Sequence, residues 1–291
     1  MDTSSRTTIY CEDARVLGQE AWPGGQYVLR LAAPLCAAAA QPGSFIHLQC
    51  DPEIPMRRPL SIMRADAAAG WVEVLYKVMG HGLAALARVR HGDHLSLLGP
   101  IGNGFAVDPQ RPRAILLGGG VGIPPLVFLA ERLIARGGFA PVAFFGSELP
   151  FPFQLEQKPA SLARVPADAT AAMELLERSG VPSRLASMAG LPGCYQGYVT
   201  ELAAEWLSGL DSVEDCSVYA CGPEPMLKAA AALADRFALP AWLCLEEYMA
   251  CAVGGCAGCT VPVQIAGQRE MKRVCVDGPV FAADSIYPAA A

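Results

Sequence analysis

The chain has 291 residues, 53% of them hydrophobic, and a formal net charge of −6. That length suggests two domains, or two with a small appendage, and that composition can bury a sizeable core. The acidic balance and the lack of basic runs argue against nucleic acid as a partner. Eleven cysteines, an odd count, exclude a fully paired intramolecular disulfide framework and fit a reducing compartment. The start, Met-Asp-Thr-Ser-Ser-Arg, has no basic run leading into an apolar one, so no signal peptide is expected. The longest uncharged stretch, Ala114 to Ala130, holds three consecutive glycines and Pro124-Pro125, which make it a poor membrane span. A cytoplasmic protein is expected.

Residues 1–110 read as short strands between turns. Tyr27–Leu31, Phe45–Leu48, Trp71–Tyr76 and His94–Leu98 are the predicted strands, with Pro, Gly and Asp clustered between them. Strands this short and this close suggest a small antiparallel barrel. One helical stretch, Gly82–Ala87, interrupts them. Three motifs stand out. Arg57-Arg58-Pro59-Leu60-Ser61-Ile62 offers a guanidinium for a phosphate and a hydroxyl for a ring nitrogen. Lys77-Val-Met-Gly80-His81-Gly82-Leu83 is a glycine turn opening a helix, whose first amides are unpaired. Gly99-Pro-Ile-Gly-Asn-Gly-Phe105 is a loop after a strand. Taken singly, a double Arg is more often a solvated surface feature, and a glycine turn only a turn.

Residues 111–243 change character. Arg113–Leu117 is a continuous apolar run, as in a buried parallel strand. Gly118-Gly-Gly-Val-Gly122-Ile-Pro-Pro-Leu126 follows and leads into a helix through Arg136. Strand, glycine turn and helix is the form of a pyrophosphate site, although this is not the usual G-x-G-x-x-G. Pro141–Phe145 and Ser217–Ala220 are further strands. The second ends in Cys221-Gly222-Pro223-Glu-Pro-Met-Leu227 and passes into a helix through Phe237. Ligands of open parallel sheets sit at the carboxyl ends of strands, where both glycine motifs fall. Between residues 150 and 197 only a helix over Thr170–Ser179 is predicted.

Residues 244–291 carry the chemistry. Cys251, Cys256 and Cys259 have the spacing C-x4-C-x2-C, and Cys275 follows after a gap of fifteen residues. That is the ligand pattern of a plant-type [2Fe-2S] cluster. Glycines at 254, 255 and 258 let amides approach sulfur and stabilise its charge. Structural zinc usually takes two short Cys pairs, and only one is present. Asp277-Gly278-Pro279 reads as the turn that shapes the fourth-ligand loop. Cys11, Cys36, Cys50, Cys194 and Cys216 read as packing residues, Cys244 fits no ligand gap, and none of the four histidines is assigned to metal.

The order of these motifs resembles the electron-transfer subunits of dihydroorotate dehydrogenase B, the iron–sulfur flavoprotein branch of the ferredoxin reductase superfamily. The resemblance covers nearly the whole chain and is strongest at 57–62, 118–126, 221–227 and 244–281. It implies an antiparallel FAD-binding β-barrel (1–110), a parallel-sheet α/β domain for NAD(H) (111–243) and a small [2Fe-2S] domain facing a partner (244–291). Carried over, Arg58, Pro59, Leu60 and Ser61 would line the flavin, Arg58 on a phosphate and Ser61 near the reactive edge. Leu75, Tyr76, Lys77, Gly82 and Leu83 would continue the FAD site. Gly118, Gly119, Gly120 and Gly122 would take NAD phosphate, and Cys221, Gly222 and Pro223 would border the nicotinamide. Cys251, Cys256, Cys259 and Cys275 would ligate the cluster.

Two positions depart from the family: Leu83 stands where Thr is frequent, and Ala252 where Gly is common. No Arg pair follows the strand ending at Phe145, so NAD rather than NADP is expected. Ser61 and Cys221 are the side chains expected nearest the reacting rings, Cys221 being equally readable as a small buried hydrophobe. The implied partner is an FMN-containing dihydroorotate dehydrogenase catalytic subunit, in a heterotetramer of two copies of each chain, with no nucleic acid and no membrane. The same motifs would suit a reductase subunit of a hydrogenase or of an electron-bifurcating ferredoxin–NADP reductase. A non-redox zinc scaffold leaves the flavin and nucleotide motifs unexplained.

Overall fold

The computed structural model describes residues 9–158, 162 and 164–288. The N-terminal stretch read for a signal peptide lies outside them. The chain divides into two compact units, 1–105 with 245–280, and 106–244 with 281–291.

The first unit is built on six antiparallel strands. These are β1 (Tyr10–Trp22), β2 (Gln26–Ala32), β3 (Phe45–Leu48), β4 (Arg58–Asp66), β5 (Trp71–Lys77) and β6 (His94–Ile101). They close in the order β1-β2-β5-β4-β3-β6, so no edge is left unpaired. Alternate residues point inward, and Leu29, Leu31, Ile46, Leu48, Ile62 and Val74 are wholly buried there. Helix α1 (Pro34–Ala39) starts on a proline, whose missing N–H costs nothing at that position, and α2 (Gly80–Leu86) opens at the predicted glycine turn.

The second unit is a parallel sheet flanked by helices. In chain order it has β7 (Arg113–Gly119), α3 (Pro124–Arg136), β8 (Val142–Gly146), β9 (Leu155–Gln157), β10 (Ala171–Met173), α4 (Glu174–Arg178), β11 (Ser183–Ala186), α5 (Val199–Ser208), β12 (Cys216–Cys221), α6 (Glu224–Arg236) and β13 (Ala241–Cys244). The last segment of the first unit contributes the hairpin β14 (Thr260–Ile265) and β15 (Gln268–Arg273). Its two-residue turn places Ala266 and Gly267 at φ of 49° and 78°, the left-handed pair that hairpin twist requires. Strand β16 (Val280–Ala282) and α7 (Ala283–Ile286) follow, and the main sheet runs β11-β8-β7-β12-β13-β16. Strands β7 and β12 sit in its middle as largely apolar runs, buried from Ala114 to Gly119 and from Cys216 to Cys221.

The predicted helix over Thr170–Ser179 is corrected. Ala171–Met173 pairs with β9 as a strand, and only Glu174–Arg178 is helical. Glu-Leu-Leu-Glu-Arg has helical spacing, but the preceding apolar residues are drawn into the ladder, where all three are buried. Beside them Arg184 is wholly buried; it lies 3.6 Å from Glu177 and donates to the Lys158 carbonyl at 2.7 Å. Among the described residues, no helix is long and apolar enough to cross a membrane.

Candidate functional site: a four-cysteine loop, a flavin strand and a nucleotide turn

The four cysteines all lie in the segment that belongs to the first unit. They fall into two pairs. The Cys256 side chain is the neighbour of Cys251, and the Cys259 side chain that of Cys275. Cys259 and Cys275 are buried, Cys251 is half-buried and Cys256 is exposed. Main-chain amides point at sulfur: Cys256 N–H donates to Cys251 Sγ at 3.4 Å, and Gly258 N–H to Cys256 Sγ at 3.4 Å. Burial would raise the Cys251 thiol, but the amides of Cys256, Val253 and Gly255 outweigh it and bring its pKa down to about 7. Burial, then the neighbouring Cys259, pushes Cys275 up to about 12.

No group of three His, Cys, Asp or Glu side chains among the described residues is arranged to hold a single metal ion. Two thiol pairs backed by amides fit a two-iron cluster, in which each iron takes two protein ligands.

The loop is held by residues outside the ligand set. Arg273 N–H donates to Asp277 Oδ2 at 2.6 Å, and Arg273 Nη1 donates to the Gly254 carbonyl at 3.1 Å. Arg273, through its main chain and its side chain, thus ties the loop after Cys251 to the turn after Cys275. Asn103 Nδ2 donates to the carbonyls of Val276 and Asp277 at 3.1 and 3.2 Å, and Asn103 N–H to the Gly278 carbonyl at 2.6 Å. The third barrel motif is therefore a brace for the Cys275 loop.

In the barrel, the two adjacent arginines of the first motif differ sharply. Arg57 is committed to the barrel, donating to the carbonyls of Ser96 at 2.5 Å and His47 at 3.3 Å and to Ser96 Oγ at 2.7 Å. Among the described residues, Arg58 bonds main-chain carbonyls next to itself, Met56 at 2.9 Å and Arg57 at 3.2 Å. Its guanidinium lies where a Cβ on Gly82 would come within 3.0 Å, so the first two motifs meet at the start of α2. A guanidinium with no carboxylate partner among the described residues, beside the glycine turn, fits an anion such as the flavin's phosphates. Pro59 and Ser61 are half-exposed on β4, and Leu60 points into the barrel. Leu75 and Tyr76 are buried, Tyr76 giving its hydroxyl to Gln19 Oε1 at 2.8 Å, while Lys77 is exposed. Gly82 is buried and Leu83 half-buried on α2.

In the second unit, Gly118 of β7 pairs with Cys221 of β12, so both glycine motifs leave the sheet side by side. The approach is backbone on backbone: a Cβ on Gly122 would lie 2.5 Å from the Cys221 carbonyl and the Gly222 nitrogen. A Cβ on Gly119 would lie 2.5 Å from Met226 Sδ and 3.2 Å from Pro223. Gly120 has φ 54° and open space beside it. This is the arrangement a pyrophosphate needs, with exposed amides at a strand–helix junction. Cys221 itself is wholly buried.

A family model for the iron–sulfur cluster binding domain of dihydroorotate dehydrogenase B matches residues 246–287. The dihydroorotate dehydrogenase B (NAD(+)) electron transfer subunit of Bacillus caldolyticus is 36% identical over 267 residues, which cover 89% of this chain and 92% of that one. The corresponding subunit of Listeria monocytogenes is 34% identical over 254 residues, covering 86% and 89%. The chain belongs to this family of electron transfer subunits. Its fold is also that of an NADH-dependent reduced ferredoxin–NADP oxidoreductase, at a TM-score of 0.75 and 24% identity, covering 94% of this chain and 90% of the other. Phthalate dioxygenase reductase is similar at a TM-score of 0.55 and 14% identity, over 94% and 78%. The ferredoxin reductase-like architecture expected from the motifs is therefore present.

Membership of the electron transfer subunit family explains one departure and leaves another. Ala252 has φ 55°, a left-handed conformation that favours glycine, the residue the resemblance leads one to expect there. Leu83 has no such backbone reason. Sequence reading missed Arg273 and Asn103 as supports of the cluster loop. The one available signal was the Asp277-Gly278-Pro279 turn, which marked that a tight loop needed holding.

Proposed function

We propose that this chain passes electrons between NAD(H) and an FMN-containing dihydroorotate dehydrogenase subunit, for pyrimidine biosynthesis. The observation that carries this reading is the amide-backed double pair of cysteines, in a chain that also has the flavin and nucleotide motifs. A nicotinamide exchanges two electrons as hydride and a [2Fe-2S] cluster carries one at a time, so a bound flavin supplies the exchange between them.

The protein's part is positioning, and no general acid or base is required. Arg58 holds phosphate at the head of α2, and Pro59, Leu60 and Ser61 present β4 to the flavin, Ser61 at its reactive edge. Leu75, Tyr76, Lys77, Gly82 and Leu83 complete that site. Gly118, Gly119, Gly120 and Gly122 carry the NAD pyrophosphate, while Cys221, Gly222 and Pro223 border the nicotinamide. Cys251, Cys256, Cys259 and Cys275 hold the cluster. The functional modules follow as 1–110, 111–243 and 244–291, the assembly as two copies of each subunit, and the location as the cytoplasm. Support for a partner at the cluster comes from exposed Cys256 and from Tyr248, which is 94% exposed three residues before the first ligand.

The test is Cys256→Ser in the co-purified complex. Iron and electron transfer to the partner should be lost, while NADH reduction of a flavin-directed dye persists. Loss of both together would defeat the proposed order of cofactors.

A further inference from the structure

Gln19 lies on β1, a strand whose residues Ala14 and Val16 are wholly buried in the barrel. Strict alternation would turn Gly18 and Glu20 inward next. A bulge between Val16 and Gly18 shifts the register, so that Val16 opposes Leu31 and Gln19 opposes Leu29. Leu29 and Leu31 are wholly buried in the interior, and directly opposed residues of an antiparallel pair share a face. The bulge therefore aims a polar side chain into the barrel, where an amide must find partners.

It finds them through both of its polar atoms. Tyr76 gives its hydroxyl to Gln19 Oε1 at 2.8 Å. Gln19 Nε2 lies 3.3, 3.3 and 3.4 Å from the carbonyls of Leu86, Ala87 and Val89, at the end of α2 and just past it. Carbonyls at a helix end lack their usual partners, and a side-chain donor meets that need. Three acceptors around Nε2 fix which way the amide points, and with it the tyrosine hydroxyl as donor. Tyr76 is 1% exposed and its ring stacks on Tyr27 with centroids 5.3 Å apart, so the phenol is a fixed anchor. Its ring is turned into the barrel with Val72 and Val74, on the face opposite to Leu75 and Lys77.

At its other end α2 stands against Arg58. The guanidinium atoms Cζ, Nε and Nη2 each lie 3.0 Å from where a Cβ on Gly82 would be, so the group rests on bare backbone there. The helix has only seven residues, and a shift at its end carries Gly82 with it. We propose that Gln19 is a positioning residue: its amide, anchored by Tyr76, clamps the end of α2 and so holds Gly82 where it seats the Arg58 guanidinium. This role rests on the reading that Arg58 and Gly82 hold a flavin phosphate. Small misplacement of a binding group is expensive.

The test follows FAD release from the co-purified complex, by the fluorescence of the freed flavin, in Q19M, R58A and the double variant. Methionine keeps the length of the side chain and removes its amide. Q19M should release FAD about tenfold faster than wild type, the fold-change of one hydrogen bond to a charged group. In the R58A background the same change should add less than about twofold, because two residues acting through one contact are not additive. R58K replaces R58A if the latter retains no flavin. Y76F, which removes one hydroxyl and keeps the stacked ring, should also speed release and should add nothing to Q19M; it replaces Q19M if that variant does not fold. Wild-type release in Q19M would overturn the clamp. So would an equal acceleration with and without Arg58, which is what a general loosening of the barrel would give. A wild-type release rate in R58A would instead defeat the reading of the flavin phosphate site.

Discussion

Gly122→Ala tests how the two glycine motifs build the nucleotide turn. The added methyl would lie 2.5 Å from the carbonyl carbon and oxygen of Cys221 and from the Gly222 nitrogen. Carbon contacts settle near about 3.5–4.0 Å, so one backbone must shift by roughly 1 Å. Neither is free to do so. Strand β12 is paired with β7 from Cys216–Arg113 to Cys221–Gly118, and with β13 on its other side. Overpacking costs about 1–3 kcal/mol, and contact with a main-chain peptide rather than a flexible side chain places this one at the upper end. For a chain of this size each kcal/mol lowers the melting temperature by about 2–4 °C, which gives a fall of roughly 6–12 °C. The KM for NADH should rise in the same variant, because the turn proposed to carry the pyrophosphate has moved. Gly120→Ala is the control: it meets no atom within 4 Å and incurs only the left-handed backbone penalty at φ 54°. That penalty is about 1–2 kcal/mol. Thermal melting and steady-state NADH–dye kinetics read both effects. A Gly122→Ala protein that melts with wild type and keeps its KM would refute the close-approach argument.

Other substitutions separate support from chemistry. Arg57→Ala removes three hydrogen bonds from the barrel and should cost about 1–3 kcal/mol in stability, read by melting. Arg58→Ala should leave melting of the apoprotein unchanged but weaken flavin retention, read by flavin content after gel filtration. Tyr248→Ala should weaken binding to the catalytic subunit by about tenfold, the scale of a single aromatic anchor, with no change in the chain's own stability. Acid should destabilise the fold through His47. Its folded pKa of about 4 lies below the ordinary 6.5, so the unfolded chain binds the extra proton first. Stability should therefore fall as pH drops from about 6.5 to 4, by about 2–3 kcal/mol, and His47→Phe should flatten that slope in urea melts.

What could be read in advance was local in the chain. The cysteine spacing, the strand–glycine–helix junction at Gly118 and the apolar runs of β7 and β12 depend on residues within one short window. The charged, uneven stretch Tyr10–Trp22 gave no such window, yet it forms a thirteen-residue strand because β2 and β6 flank it. The motif Arg58–Ser61 was read for chemistry and proved also to begin a barrel strand. Ala171–Met173 reads equally as strand or helix, and its partner β9 decides.

The sequence by itself supplied the cysteine spacing and the cofactor classes, because residue type, gap length and glycine placement are covalent properties of the chain. Only the tertiary structure decided which of two adjacent arginines is tied to a remote strand, how four thiols divide into pairs, why Gly122 admits no methyl, and that Asn103 braces a loop far along the chain. Each of those is settled by contact between segments remote in sequence. Main-chain donors and acceptors there must find partners once water is excluded, and no local pattern records which partner they find.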